Sequence, residues 1–191
     1  MMVVSFELLA LDAPPIPTGI EGLLNKDDTI LALKSAQPLG ATSSGTVILV
    51  RHTQANDSHS NPCELLLIQT DATTSRVAAR NEHIVDCRYN ESAKSAAAMG
   101  LLDNLKVTPT SVSYFNELTR GGTTFTFAWN PAKAAWNLQH VEATSVQNTE
   151  GGVTVFKSVL DYPATLPWIA LSEFDPKAIR EALVRNRAIV R

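Results

Sequence analysis

The sequence predicts an α+β fold that is mainly antiparallel β-sheet, either a curled sheet or a sandwich, with a helix near each end. Three features lead to this prediction: strand-like runs at residues 46–50, 64–69 and 76–80, an alternating hairpin over residues 123–141, and a capped helical segment at the C-terminus. At 191 residues the chain can bury one sizeable core, and we expect a single domain over residues 1–191.

The three central runs are separated by turn-forming residues at positions 56–58, 61–62 and 71–75. The first two runs are apolar almost throughout, which predicts that both faces of those strands are covered. They are therefore the best candidates for the centre of a sheet. The third run is expected to continue through residues 83–85.

The hairpin is the clearest local signal in the chain. Aromatic residues alternate with threonines, so Phe125, Phe127 and Trp129 share one face of the first strand. An Asn-Pro turn follows, and Trp136 and Leu138 on the returning strand can pair across the hairpin with that aromatic face. We expect these five side chains to face the core.

Helix signals are weaker than strand signals. Asp27 or Asp28 can cap a short helix over residues 29–37, although the same residues could form a strand. An alanine-rich piece at residues 91–99 favours helix by propensity, and Asp175 followed by proline is a good start for a final helix. Further strands are expected at residues 2–11, 106–108, 111–115 and 153–160.

The composition limits the classes of function. An apolar fraction of 45% and a charged fraction of 18% are typical of a soluble globular protein. The net charge of −3 argues against a protein whose main task is to bind nucleic acid. No apolar run approaches the roughly 18 residues of a membrane span, and no cofactor motif is present, so neither a span nor a cofactor is expected.

The N-terminus has no basic residue ahead of its apolar stretch, so it does not resemble a secretory leader. We therefore expect a cytoplasmic protein from the sequence as it stands, and a periplasmic one if a leader has been removed. Cys63 and Cys87 each sit at the edge of a strand in the same predicted sheet and could form one disulfide. The alternative is two separate buried thiols, which are commoner in the cytoplasm.

Arg51 and His52, at the end of the first central strand, are the sharpest candidates for chemistry. The stretch from Val47 to Gln54 resembles the motif that opens the histidine phosphatase and phosphoglycerate mutase family, in which the histidine takes up phosphate. This resemblance implies a phosphomonoester hydrolase. However, Thr53 stands where the family has glycine, none of the later histidines has the family's context, and the rest of the chain lacks the family's long helices.

Other polar residues are weaker candidates. Zinc prefers histidine and cysteine ligands, and four such residues lie in this part of the chain: His52, His59, Cys63 and Cys87. Their spacings lack the tight pairs of structural zinc sites, so no metal is expected. The basic stretch of residues 177–191 could contact an acidic partner, but we favour a helix that packs on the sheet through an apolar stripe of Ile179, Leu183 and Val184. We expect most carboxylates of the central region to be solvated turn or edge residues. These are Asp57, Glu64, Asp71, Glu82 and Asp86.

A broader resemblance extends over about residues 60–176. It rests on a leucine-rich strand with an acidic turn at residues 64–71, an Ala-Arg-Asn…Cys strand at residues 77–87, the hairpin, and a closing Glu-Phe-Asp at residues 173–175. In these features the chain resembles a group of small, uncharacterised, β-rich proteobacterial proteins, although Cys87 is not followed by the Gly-Gly often seen in the group. The resemblance implies no catalytic residues, and many members of the group carry leaders.

We therefore expect a non-catalytic binding protein with a protein partner. By analogy with other compact proteins that lack catalytic motifs, we expect an immunity-type protein that binds and neutralises a toxic bacterial effector. The alternatives are the phosphomonoester hydrolase and a structural component of the cell envelope. The expected contact segment is the polar connection of residues 51–62, because loops on a rigid sheet often carry recognition. Its candidate contact residues are Arg51, His52, Asn56, Asp57, His59 and Asn61.

Overall fold

The computed structural model describes residues 19–52, 62–71, 74–87, 101–150 and 152–190. Within these ranges the chain is mainly antiparallel β-sheet, with ten strands in two open sheets and only short helices. The first sheet contains β1 (Thr29–Ala36), β2 (Ser44–Arg51), β3 (Cys63–Asp71) and β4 (Thr74–Asn81), paired in that order. The three central strands of the sequence prediction are therefore confirmed as neighbours β2, β3 and β4.

The second sheet is built from six strands in the order β10-β9-β8-β7-β6-β5, and every neighbouring pair is antiparallel. Its strands are β5 (Leu105–Val107), β6 (Ser111–Leu118), β7 (Gly121–Asn130), β8 (Ala135–Thr149), β9 (Gly152–Asp161) and β10 (Arg187–Val190). The predicted hairpin is the β7–β8 pair, and the predicted strands at residues 106–108, 111–115 and 153–160 correspond to β5, β6 and β9. The prediction of a helix over the basic stretch of residues 177–191 is wrong at its end, because the α-helix stops at Arg185 and β10 follows, paired with β9.

Both faces of β2 and β3 are buried, as their continuous apolar runs predict. One set of alternating side chains, represented by Val47 and Leu65, packs into the main core between the two sheets. The other set, represented by Ile48 and Leu66, packs into a second cluster that includes Ile20. The first sheet therefore has its centre at β2 and β3.

The β7–β8 hairpin supplies the aromatic part of the main core. Phe125, Phe127, Trp136 and Leu138 are buried there, as predicted, whereas Trp129 is only partly buried. Phe174 meets Phe125 and Phe127 edge-on, with ring centroids 5.0 and 5.4 Å away. The C-terminal part of the chain thus closes over the aromatic face of the hairpin.

Of the two conformations that the sequence allows for residues 29–37, the helix is wrong and the strand is correct, because Thr29–Ala36 forms strand β1. β1 pairs with β2 along its length, and its side chains contribute to both apolar clusters: Ile30 and Leu33 pack on one, and Ala32 lies in the other. Helix propensity in this segment is weak, so the gain from sheet pairing and two-sided burial decides its conformation.

The helices in the described ranges are short. They are 3-10 helices at Glu21–Leu23, Leu171–Glu173 and Pro176–Ile179, and α-helices at Leu101–Asn104 and Arg180–Arg185. A helix near each end is therefore present only as one or two turns. The cap predicted at Asp175 is confirmed, since its carboxylate accepts a hydrogen bond of 2.9 Å from the Lys177 N–H. The predicted apolar stripe is wrong at Val184, which is exposed.

Two predicted elements, the strand at residues 2–11 and the helix at residues 91–99, lie outside the described residues. The predicted continuation of β4 through residues 83–85 is wrong, because β4 ends at Asn81 and the chain bends away from the sheet there. Among the residues that the structure describes, no helix is long and apolar enough to cross a membrane.

Candidate functional site

The end of β2 and the start of β3 form the base of the predicted contact segment. Val50 pairs with Glu64 and Arg51 pairs with Cys63 in the antiparallel register. The His52 N–H then donates a 2.8 Å hydrogen bond to the Pro62 carbonyl, which closes the base. Both ends of the segment are therefore fixed to the sheet. Its remaining predicted contact residues lie outside the described ranges: Asn56, Asp57, His59 and Asn61.

The His52 side chain lies between two carboxylates. Its Nδ1 is 2.8 Å from Asp28 Oδ1, and its Nε2 is 3.2 Å from Glu64 Oε2. The side chains of Glu64, Asp28 and His52 are 1%, 5% and 24% exposed, so much of this contact is shielded from water. Arg80 completes the group: its Nε and Nη2 donate to the two oxygens of Glu64 at 2.6 and 2.7 Å. We call Asp28, His52, Glu64 and Arg80 the charge network.

The pKa values of Asp28, His52 and Arg80 favour their ionised forms. Burial alone would lower the pKa of His52, but the hydrogen bonds and charges of Asp28 and Glu64 outweigh burial and raise it. Burial would likewise raise the pKa of Asp28, but hydrogen bonds from His52 and Asn25 and the charge of His52 lower it. The hydrogen bonds to Glu64 raise the pKa of Arg80. With His52 protonated, two positive charges balance two negative ones.

This geometry bears on the chemistry that His52 can perform. A phosphoryl acceptor must present one ring nitrogen to the phosphorus atom, yet both nitrogens of His52 face carboxylates. Two adjacent carboxylates also repel a phosphate group. The environment of His52 therefore suits an imidazolium that links two acidic side chains, and it does not suit phosphoryl transfer.

Cys63 and Cys87 form a disulfide, with a Cα–Cα distance of 5.7 Å, and both residues are fully buried. This settles the alternative between a bond and separate thiols, and it removes both thiolates from the set of zinc ligands that the sequence offered. Across the described ranges, no group of three His, Cys, Asp or Glu side chains is arranged to hold a metal ion. The bond links the first residue of β3 to the bend that follows β4.

Two buried asparagines, Asn81 and Asn116, hold that bend in place. The Asn81 amide nitrogen donates to the carbonyls of Leu171 and Phe174 at 2.7 and 2.8 Å. The Asn81 Oδ1 accepts hydrogen bonds from the N–H groups of His83 and Ile84. Asn116 similarly accepts from the Asp86 N–H and donates to the Ile84 carbonyl. Buried amides of this kind satisfy backbone groups that leave the sheet.

The Ala-Arg-Asn…Cys stretch therefore has a structural explanation. Arg80 binds Glu64, Asn81 binds four backbone groups, and Cys87 is bonded to Cys63. Each of these side chains crosslinks β3 or β4 to another part of the chain. Arg80, Asn81 and Cys87 thus lie together at one end of the first sheet.

Two open grooves lie beside the charge network and share Glu82 and His83 as lining residues. The first, of about 410 Å³, is also lined by Glu64 and Arg80. The second, of about 380 Å³, continues past Asp86 to the C-terminal segment at Asp175 and Lys177. The bend after β4 thus brings to one side of the protein carboxylates that are well separated in sequence.

Glu64 is an exception to the expectation that most carboxylates of the central region are solvated, because its side chain is almost completely buried, whereas Glu82 and Asp86 are exposed. The signal was present in the sequence, since Glu64 adjoins an apolar run that was itself predicted to be covered on both faces. A carboxylate in such a position needs charged or hydrogen-bonding partners. Asp71, in contrast, is exposed at the other end of β3 and does not reach this site.

No protein-family model, curated protein or solved structure matches this chain.

Proposed function

We propose that this protein is a non-catalytic binding protein that recognises a protein partner through the surface at the end of β2. We further propose that it is of the immunity type and that its partner is a toxic bacterial effector. The observation that carries the proposal is the charge network at the end of β2, where the contact segment begins. The network engages both nitrogens of the one histidine that resembled a catalytic residue, and the His52–Pro62 backbone bond holds the two ends of the segment together at the sheet.

A rigid base favours recognition for a physical reason. A contact segment whose ends are already fixed loses less conformational freedom when a partner binds, so more of the interaction energy remains as affinity. Here the base is fixed by a backbone hydrogen bond from His52, by its two carboxylate contacts and by the adjacent Cys63–Cys87 bond. Loops held in this way on a sheet often carry binding residues.

The charge of the neighbouring surface indicates the chemistry of the partner. The two grooves beside the charge network are lined by four carboxylates, those of Glu64, Glu82, Asp86 and Asp175, against two cations, Arg80 and Lys177, and the whole chain carries a net charge of −3. Complementary charges steer association and exclude partners of the same sign. A partner that presents Lys or Arg side chains toward these grooves therefore fits best.

The disulfide favours an oxidising compartment as the place where the proposed binding occurs. Structural disulfides persist in the periplasm and outside the cell and are rare in the reducing cytoplasm. Cys63–Cys87 therefore supports the periplasmic alternative over the cytoplasmic one. The same bond gives some support to the second candidate, a structural component of the cell envelope, which would act in the same compartment.

Growth protection tests the proposed function. The chain would be directed to the periplasm of a host that also expresses the product of a neighbouring toxin-like reading frame. We expect the wild type to restore growth, and a variant in which residues 54–60 are replaced by glycine and serine to protect less at the same protein level. Failure of the wild type to protect would contradict the immunity proposal. An envelope defect after deletion, without any effector present, would instead favour the structural role.

An enzyme assay tests the hydrolase alternative. We expect no turnover of p-nitrophenyl phosphate by the wild type, because carboxylates occupy both sides of His52. Turnover that disappears in His52→Ala but persists in His140→Ala would overturn the non-catalytic proposal. His140 is a suitable control because it also contacts a carboxylate, Asp161, but lies in the second sheet.

A further inference from the structure

A cavity of about 230 Å³ lies between the two sheets, toward the opposite end of β3 from the charge network. Trp129 and Trp136 of the β7–β8 hairpin line it, together with Gln69 of β3 and Arg76 of β4. Much of the remaining lining is contributed by six alanines, whose short side chains leave the space between these larger groups unfilled. The cavity is therefore a product of both sheets.

One residue of the cavity lining carries a buried hydrogen-bond donor that lacks an acceptor. Trp136 is only 3% exposed, and its Nε1–H has no hydrogen-bond partner among the described residues. A buried donor without an acceptor costs about 1–3 kcal/mol. Arg76 is exposed and donates one N–H to Gln69 Oε1 at 3.2 Å.

The other polar group does not supply the missing acceptor. The Gln69 Oε1 already accepts from Arg76, and its amide nitrogen donates to the Leu39 carbonyl at 3.2 Å. None of the described residues that line the cavity is acidic, so Arg76 gives it a positive charge in a protein whose net charge is negative. An anionic acceptor would bind both the guanidinium of Arg76 and the indole N–H of Trp136.

The aromatic walls define the rest of the ligand. The indole rings of Trp129 and Trp136 are 5.7 Å apart between centroids and tilted by 57°, so they form two walls that meet at an angle. Gly40 packs its backbone against both rings, because a Cβ there would lie only 3.1 and 3.2 Å from Trp136 and Trp129. Indole walls favour planar, apolar groups. The volume is smaller than the roughly 300–1,000 Å³ of drug-sized ligand sites, so the ligand must be small.

We propose that this cavity binds a small planar carboxylate, with the aromatic body against Trp129 and Trp136 and the carboxylate on the guanidinium of Arg76. The planar fork of Arg76 matches a carboxylate, which can accept two parallel hydrogen bonds from it. The acid can be a free aromatic acid or the C-terminal residue of a peptide, since both present the same chemistry. This site does not depend on the proposed partner surface, which lies at the other end of β3.

Nuclear magnetic resonance of the tryptophan indole N–H groups provides a direct test. The chain has three tryptophans, and Trp168, which packs on Tyr162 and does not line the cavity, is an internal control. Benzoate is the probe, benzamide removes the charge, and cyclohexanecarboxylate removes the planar ring. N-acetylphenylalanine represents a peptide C-terminus.

We expect benzoate to shift the indole signals of Trp129 and Trp136 but not that of Trp168, with a dissociation constant in the millimolar range or tighter for so small a ligand. Benzamide and Arg76→Gln should each weaken binding by about tenfold or more, because each removes a charge-assisted contact. Arg76→Lys keeps the charge but loses the fork and should weaken binding less. Tighter binding of N-acetylphenylalanine would support the same site and identify a peptide as the source of the acid.

The proposal would be overturned by any of three results in folded protein, with fold judged from an unchanged Trp168 signal. These are no shift of Trp129 or Trp136 at a saturating benzoate concentration, equal binding of benzoate and benzamide, or equal affinity of wild type and Arg76→Gln. Arg185→Gln is the matched control, since Arg185 lies in the C-terminal helix and does not line the cavity. It should bind benzoate as the wild type does.

Discussion

Removing the contact between Asp28 and His52 should destabilise the protein in a pH-dependent way. A double-mutant cycle with Asp28→Ala, His52→Ala and the double variant isolates the energy of this one contact from the other bonds of each residue. The contact is short, at 2.8 Å, and its two side chains are largely shielded from water. A charge-assisted hydrogen bond is worth about 1.5–3 kcal/mol and a fully exposed ion pair about 0.2–1 kcal/mol. We therefore expect a coupling energy of about 1–2 kcal/mol near pH 5.5.

The pKa shifts determine the sign of the pH dependence. The pKa of His52 is raised in the folded protein, so its contribution is complete below the ordinary histidine value of about 6.5 and is lost as pH rises through the raised value. The pKa of Asp28 is lowered, so its contribution is present above the ordinary value of about 3.9 and is lost as pH falls through the lowered value. The coupling should therefore be greatest between about pH 4 and 6.5 and much smaller near pH 9.

Urea unfolding of the four proteins at about pH 5.5 and pH 9 measures the coupling. The matched control is the cycle for His140 and Asp161, which are 2.7 Å apart but 35% and 58% exposed. Because water screens that pair, its coupling should stay below about 1 kcal/mol at both pH values. A coupling for Asp28 and His52 that is below about 0.5 kcal/mol, or that is equal at the two pH values, would refute the charge network as described.

Three further predictions concern the fold. Phe127→Ala should lower the free energy of unfolding by about 3–5 kcal/mol, since Phe127 is buried in the main core. The control, Val153→Ala at an exposed site, should change it by less than about 0.5 kcal/mol. A cost below about 1 kcal/mol for Phe127→Ala would place that side chain outside the core. Asn81→Ala should cost about 3 kcal/mol or more in urea unfolding, because buried backbone groups lose their partners; a cost like that of a surface substitution would contradict its bonding. Reduction of the Cys63–Cys87 bond should lower the free energy of unfolding by about 3 kcal/mol, because the bond closes a loop between residues 24 positions apart. The same reductant should not change the stability of a variant in which both cysteines are replaced by serine. Equal stability of the wild type with and without reductant would contradict the bond.

The regular parts of this fold could be predicted from the sequence because they depend on local patterns. The alternation of Phe125 and Phe127 with threonines requires one buried face, and the unbroken apolar runs of β2 and β3 require two. Those patterns do not depend on which distant segment supplies the cover. The prediction could therefore be correct about burial without identifying the covering residues.

The parts that were wrong or missed depend on contacts between distant segments. β1 is a strand because it lies beside β2, and no local signal separates that outcome from a short helix. β10 is exposed along its length, so it lacks a burial pattern and is defined only by its pairing with β9. The charge network joins Asp28 to Glu64 through His52 and joins Arg80 directly to Glu64, and the sheet register brings these positions together.

The contact segment is where the proposed function can be tested most directly. The measurement is a calorimetric titration of the purified product of a neighbouring toxin-like reading frame against three proteins: wild type, Asp57→Ala, and the variant with residues 54–60 replaced by glycine and serine. We predict that the wild type binds, that Asp57→Ala binds about tenfold more weakly with unchanged thermal stability, and that the replaced variant binds more weakly still. Unchanged affinity for both variants would place the interface elsewhere, with the basic C-terminal helix as the next candidate, and absence of binding by the wild type would contradict the proposed function itself.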